Sequence, residues 1–206
     1  IYDQLGGGFA RYATDKEWKV PHFEKMLYDN AQLVSLYSHA FQITQDPLYK
    51  DILVETLEFV KEKMTDPSGG FYSSINADSE GEEGRYYTWT KDEIDGILKE
   101  DSRLFCEYFH VTDSGNWDNG RNILFSNVND HDFLRRNNLS EIEWNRNLHA
   151  AKGRMLRARE ERIPPSTDTK IITSWNALML MGYLDAYSAT SDKKYLQSAI
   201  QSAVFL

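Results

Sequence analysis

The stretch Asn30-Ala31-Gln32-Leu33-Val34-Ser35-Leu36-Tyr37-Ser38-His39-Ala40-Phe41-Gln42-Ile43-Thr44-Gln45-Asp46 returns later in the chain. Its second copy is Asn176-Ala177-Leu178-Met179-Leu180-Met181-Gly182-Tyr183-Leu184-Asp185-Ala186-Tyr187-Ser188-Ala189-Thr190-Ser191-Asp192. A shift of 146 residues also brings Tyr49 onto Tyr195 and Phe59 onto Phe205, and Val60 onto the similar Leu206. Apolar residues recur at three- and four-residue spacing in both copies, as on one face of a helix. The shared Thr-x-Asp is a turn and a helix start. Each copy therefore reads as a helix, a turn and a second helix, and a recurring αα-hairpin predicts a helical toroid or solenoid.

Working outward, residues 1–21 read as a loop opened by Gly6-Gly7-Gly8 and closed by Pro21. A helical hairpin is expected over 22–64, ended by Asp66-Pro67-Ser68-Gly69-Gly70. A β-hairpin insertion is expected near 71–90, from strand-like Phe71-Tyr72-Ser73-Ser74 and Arg85-Tyr86-Tyr87-Thr88-Trp89-Thr90 around an acidic loop. Short helices should follow, the first capped by Thr90 and Glu93. A loop is expected over 111–130, a charged helix over 140–161, and a second hairpin over 174–206. The apolar end and the start without Met lead us to expect a piece of a longer protein.

The 206 residues carry a net charge of −9 and one cysteine, Cys106. The acidic balance argues against nucleic acid or an anionic membrane as a partner. One cysteine excludes an internal disulfide framework. No run approaches the roughly 18 apolar residues of a membrane span. The histidines show no His-Glu-x-x-His pattern, so no metal or other cofactor is expected.

Four constellations could carry chemistry. Gly6 to Tyr12, with Trp18, offers close backbone approach plus Arg11, or simply a tight loop with an ion-paired arginine. His22, Lys25 and Asp29 recur at the entry of the first helix, as acid/base groups or as a capped surface row. Asp78, Glu80, Glu82 and Glu83 could divide acid and base roles, or form a solvated turn. Tyr87 and Trp89 beside them are stacking faces or core. Asp168 and Lys170 precede Ser174-Trp175-Asn176, as a ligand loop or a helix cap.

Several of these runs together resemble one family. Tyr2-Asp3-Gln4-Leu5-Gly6-Gly7-Gly8-Phe9, Arg11-Tyr12, Val20 to Gln32, Gly69-Gly70-Phe71-Tyr72, Ala77 to Gly84 and Thr173-Ser174-Trp175-Asn176 resemble the spermatogenesis-associated protein 20 family. The family usually has Asp-Asp-Lys where this chain has Asp168-Thr169-Lys170. The resemblance implies an (α/α)6 barrel similar to six-hairpin glycosidases and N-acylglucosamine 2-epimerase, here an incomplete toroid over 1–206. It also implies an N-terminal thioredoxin-like domain as partner in the parent protein, and we expect a cytoplasmic setting.

The function expected is sugar epimerisation, isomerisation or glycoside cleavage on a small-molecule or glycan substrate. His22 would be the general acid/base, with Asp78 or Glu80 as its carboxylate. Arg11, Trp18, Lys25, Trp89, Asp168, Lys170, Trp175 and Asn176 would bind the substrate. The alternative is a non-catalytic toroid that binds a glycan or a protein.

Overall fold

A computed structural model describes residues 1–126 and 130–206, and the side chain of Asp130 lies outside the description. The loop expected over 111–130 therefore runs partly outside the described residues. The fold is mainly α. Helices α1 (Leu27–Thr44) and α2 (Pro47–Lys63) form the first hairpin, and α7 (Thr173–Thr190) and α8 (Lys193–Phe205) form the second.

The two hairpins repeat atom by atom at their turns. Gln45 and Ser191 close the first helices in the left-handed region, at φ 58° and 59°. The Thr44 and Thr190 hydroxyls donate to the carbonyls of Ala40 and Ala186. Asp46 and Asp192 then cap the next helices by accepting from the Leu48 and Lys194 N–H groups. A side-chain cap of this kind is worth about 1 kcal/mol.

Helices α1 and α7 make the most extensive contact between elements. Leu27, Ala31, Val34, Met179, Tyr183 and Ala186 are buried in it. A side chain at Gly182 would come within 3.1 Å of the Ala31 carbonyl, so the glycine allows the helices to approach. Leu53, Leu57 and Val60 of α2 extend the same core. Each buried aliphatic side chain contributes about 2 kcal/mol of transfer free energy. The first helices of two repeats thus pack side by side with their partners outside them, as adjacent hairpins of an α/α toroid do.

Between the hairpins lie α3 (Lys91–Leu98), α4 (Ser102–Tyr108), α5 (Asp130–Asn137) and α6 (Glu141–Glu160). Thr90 and Glu93 form the expected capping box on α3. Ile94, Leu98, Phe105, Phe109 and Met155 make a second core with Trp89. Among the described residues no helix is long and apolar enough to cross a membrane.

The extended segments differ from the expectation. The first helix starts at Leu27, not His22, because Lys25–Met26 is a strand, β1, and Phe23 has φ 50°. Strand β2 (Ser74–Ile75) pairs antiparallel with β1 and with β5 (Thr167–Asp168). The small hairpin in the 71–90 region is made by the acidic loop itself, as β3 (Asp78–Ser79) against β4 (Glu82–Glu83). Residues 84–87 are turn, and Trp89 bridges Asn122 instead of the 71–74 segment. The sheet β1-β2-β5 joins the N-terminal ends of the two hairpins.

Candidate functional site

Two asparagines build the floor of that end. The Asn30 side chain accepts from the Phe9 N–H at 2.8 Å and donates to the carbonyls of Phe9 and Met26. Its repeat mate Asn176 accepts from the Phe71 N–H at 2.7 Å and donates to the carbonyls of Phe71 and Ile172. The glycine before each phenylalanine lies against the second helix of the same hairpin. A side chain at Gly8 would sit 2.4 Å from the Phe59 ring, and one at Gly70 would sit 2.6 Å from Phe205. Phe59 and Phe205 are repeat mates as well. Gly7-Gly8-Phe9 and Gly69-Gly70-Phe71 are one device used twice, each pinning a loop to its own hairpin. The sequence signal was the repeated Gly-Gly-Phe, which occurs at a different shift from the helices.

Loops held this way bring a set of polar and aromatic side chains to the N-terminal ends of α1 and α7. The Arg11 N–H donates to the Glu24 carbonyl, and its guanidinium pairs with the Glu24 carboxylate at 3.4 Å. The Tyr28 hydroxyl also contacts Arg11. Tyr28 meets Trp175 edge-on, with ring centroids 4.8 Å apart. The His22 ring stacks on Tyr12 at 4.7 Å, and its buried Nδ1 has no hydrogen-bond partner among the described residues. Asp29, in the first turn of α1, has a buried Oδ2 that is likewise unpartnered. Burial raises the Asp29 pKa, the Glu24 carboxylate adds to the shift and Arg11 opposes it. Asp168 is on β5 beside Ser74, and its carboxylate holds Lys170 at 2.8 Å on the exposed side.

The structure therefore gathers Arg11 and His22 on one chain of contacts with Tyr12, and Arg11 on another with Tyr28 and Trp175. It places Asp168 on the strand joined to them through β2, with Lys170 just after that strand. It does not bring the acidic hairpin into this group. Glu80 is held by Arg85 at 3.0 Å and lines a different hollow with Arg121 and Arg162, and Asp78 is on the exposed hairpin. Trp18 is 67% exposed. Trp89 is 1% exposed with the Arg162 guanidinium 3.6 Å over its ring, so it is core rather than a stacking face for a ligand. Asn176 is fully buried by its clamp. Asp29 stands in the row His22, Lys25 and Asp29 that the sequence singles out, whereas Glu24 is a carboxylate of this face that no spacing pointed to.

Lys25 points to the other side of β1. Its ammonium donates to Asp3 at 2.8 Å and to the Gly7 carbonyl at 2.8 Å. Arg159 of α6 takes both oxygens of Asp3 at 2.9 Å. Burial, against the pull of Asp3 and with Arg159 adding to it, lowers the Lys25 pKa to about 8. Burial would raise the Asp3 pKa, yet Arg159 and Lys25 hold it well below the usual carboxylate range.

Hairpins set side by side, with an acidic and aromatic face at their helix N-termini, define an α/α-hairpin protein. Over its full length the chain is homologous to the spermatogenesis-associated protein 20 family. It is 34% identical to the human member and 33% identical to the mouse member, covering 100% of this chain and 29% of each relative. It thus spans less than a third of the curated relatives it matches. No family model matches the chain. Among solved structures it is similar to a D-mannose isomerase (14% identity, TM-score 0.34, covering 97% of this chain and 44% of that one). It is also similar to a family 76 glycoside hydrolase from a bovine Bacteroides thetaiotaomicron strain (13% identity, TM-score 0.35, covering 99% and 39%). Likeness of that degree is too slight to assign chemistry.

Proposed function

We propose that the face at the N-terminal ends of α1 and α7 binds a small sugar and moves protons on it, in epimerisation, isomerisation or glycoside cleavage. The observation that carries this reading is Asp29. A carboxylate with an unpartnered, buried oxygen and a raised pKa is a proton donor in waiting, and such groups concentrate at functional sites. Glu24 lies on the same face but is ion-paired with Arg11. Two carboxylates in unlike environments can divide acid and base roles. His22 is the second proton carrier in this scheme, its open Nδ1 free to take a partner. Arg11 orients hydroxyl oxygens, and Trp175 with Tyr28 gives the apolar face of a sugar ring something to rest on.

The experiment is turnover of a panel of aldoses, ketoses and β-linked disaccharides by the full-length protein and by Asp29→Asn and His22→Gln. Loss of one acid/base group lowers a rate by about 10²–10⁴-fold, and we expect losses in that range. Sugar binding without turnover in the wild type would favour the non-catalytic glycan-binding reading. Turnover unchanged in both variants would remove these roles.

A further inference from the structure

Behind β1, on the side away from Glu24, a cavity of about 370 Å³ is lined by Lys25, Arg159, Arg162, Phe59, Tyr86 and Tyr87, among others. That is the size of a small-molecule site. Lys25 and Arg159 are 2% and 5% exposed, and both are held by a single carboxylate, Asp3. Two cations against one anion leave a net positive charge where water is scarce, and an uncompensated buried charge is costly. Arg159 has still more to give, since its buried Nε has no partner among the described residues. The Lys25 ammonium sits over the Phe59 ring at 4.3 Å, an aromatic contact that only partly replaces an anion. The other acids lining the cavity, Glu62 and Glu160, are exposed at its rim, and Glu160 is taken by Lys63 at 3.3 Å. Gly6 is part of the device, because a side chain there would fall 1.9 Å from Arg159 Nη2.

We propose that this cavity binds the oxyanion of a small molecule, a phosphate ester or a carboxylate, between Lys25 and Arg159. The site is separate from the proton-transfer face and does not depend on it. An oxyanion supplies the second negative charge and accepts from the spare donors, as charge-assisted pairs of this kind do.

The test is calorimetric and thermal-shift titration of the full-length protein with inorganic phosphate, D-gluconate and D-glucose at constant ionic strength set by chloride. Phosphate or gluconate should bind saturably and raise Tm, and which of the two binds tighter identifies the source of the oxyanion. Glucose lacks the charge and should not compete with either. Lys25→Met leaves a neutral Asp3–Arg159 pair and should weaken the anion at least tenfold. Saturable binding by neither anion, or equal affinity in wild type and Lys25→Met, overturns the proposal. Should that variant not fold, NMR of the wild type decides: the Arg159 Nε and Lys25 Cε resonances shift on adding phosphate, or their constancy refutes the site.

Discussion

Asp3→Asn is the sharpest perturbation of the buried charge cluster. The carboxylate of Asp3 accepts from Arg159 twice, from Lys25 once and from the backbone N–H groups of Leu5 and Gly6 at 3.0 and 3.1 Å. An asparagine can keep the two backbone bonds through its oxygen, so the turn at Gly6 survives. What it cannot keep is the charge. Lys25 and Arg159 would then face each other in a site where each is about 95% buried or more. Breaking a buried pair by removing one partner costs about 3–5 kcal/mol, a large share of a typical stability of about 5–15 kcal/mol. Lys25 offers one escape, because it can shed its proton. Lys25→Met in the Asp3→Asn background removes the stranded ammonium and should restore part of the loss, so the two changes are strongly non-additive. Urea unfolding followed by near-UV circular dichroism measures both effects. A loss below about 1 kcal/mol for Asp3→Asn, with simple additivity in the double variant, would refute the argument that the cluster is a desolvated charge network.

Two further outcomes follow from the same geometry. Asn176→Ala strands the N–H and carbonyl of Phe71, and Asn30→Ala strands those of Phe9. Each should lower stability by about 2–4 kcal/mol, and near-equal losses in calorimetric unfolding would mark the two clamps as repeats of one device. Lys25 has a pKa lowered to about 8 when folded, against 10.5 for the ordinary side chain. The unfolded chain therefore binds more protons between those values, and the Lys25 contribution to stability rises with pH from about 8 towards 10. Above pH 10 the buried tyrosines, whose pKa values are raised, reverse the slope. Subtracting the pH profile of Lys25→Met from that of the wild type isolates the rise.

Much of this architecture is legible in the sequence, for a physical reason. The αα-hairpins announce themselves because their turns are local, with Thr44 and Asp46 bonding to neighbours within four residues, and Thr190 and Asp192 doing the same. The short strands do not. Two-residue strands show no alternation, and β1, β2 and β5 pair because the asparagine clamps and loops bring them together. Helix α5 leaves little trace in the sequence, since it carries only Phe133 and Leu134 as apolar residues; Phe133 finds its place through Tyr108 and Trp144. For the site, Arg11, His22 and Trp175 stand out as polar and aromatic residues just ahead of helices. The cluster of Asp3, Lys25 and Arg159 spans 156 positions, and no spacing rule joins residues so far apart. Trp89 and Glu80 were misplaced because composition cannot separate a stacking face from a core ring, nor a free carboxylate from one already held by arginine.

The face that joins the two hairpins is where the proposed sugar site lies. Hydrogen–deuterium exchange of the full-length protein, with and without the sugar that binds it best, tests it most directly. Protection should appear together in 9–14, 22–29 and 170–176, and Arg11→Ala with Trp175→Ala should abolish it. A bound sugar that protects none of these segments would contradict the central claim.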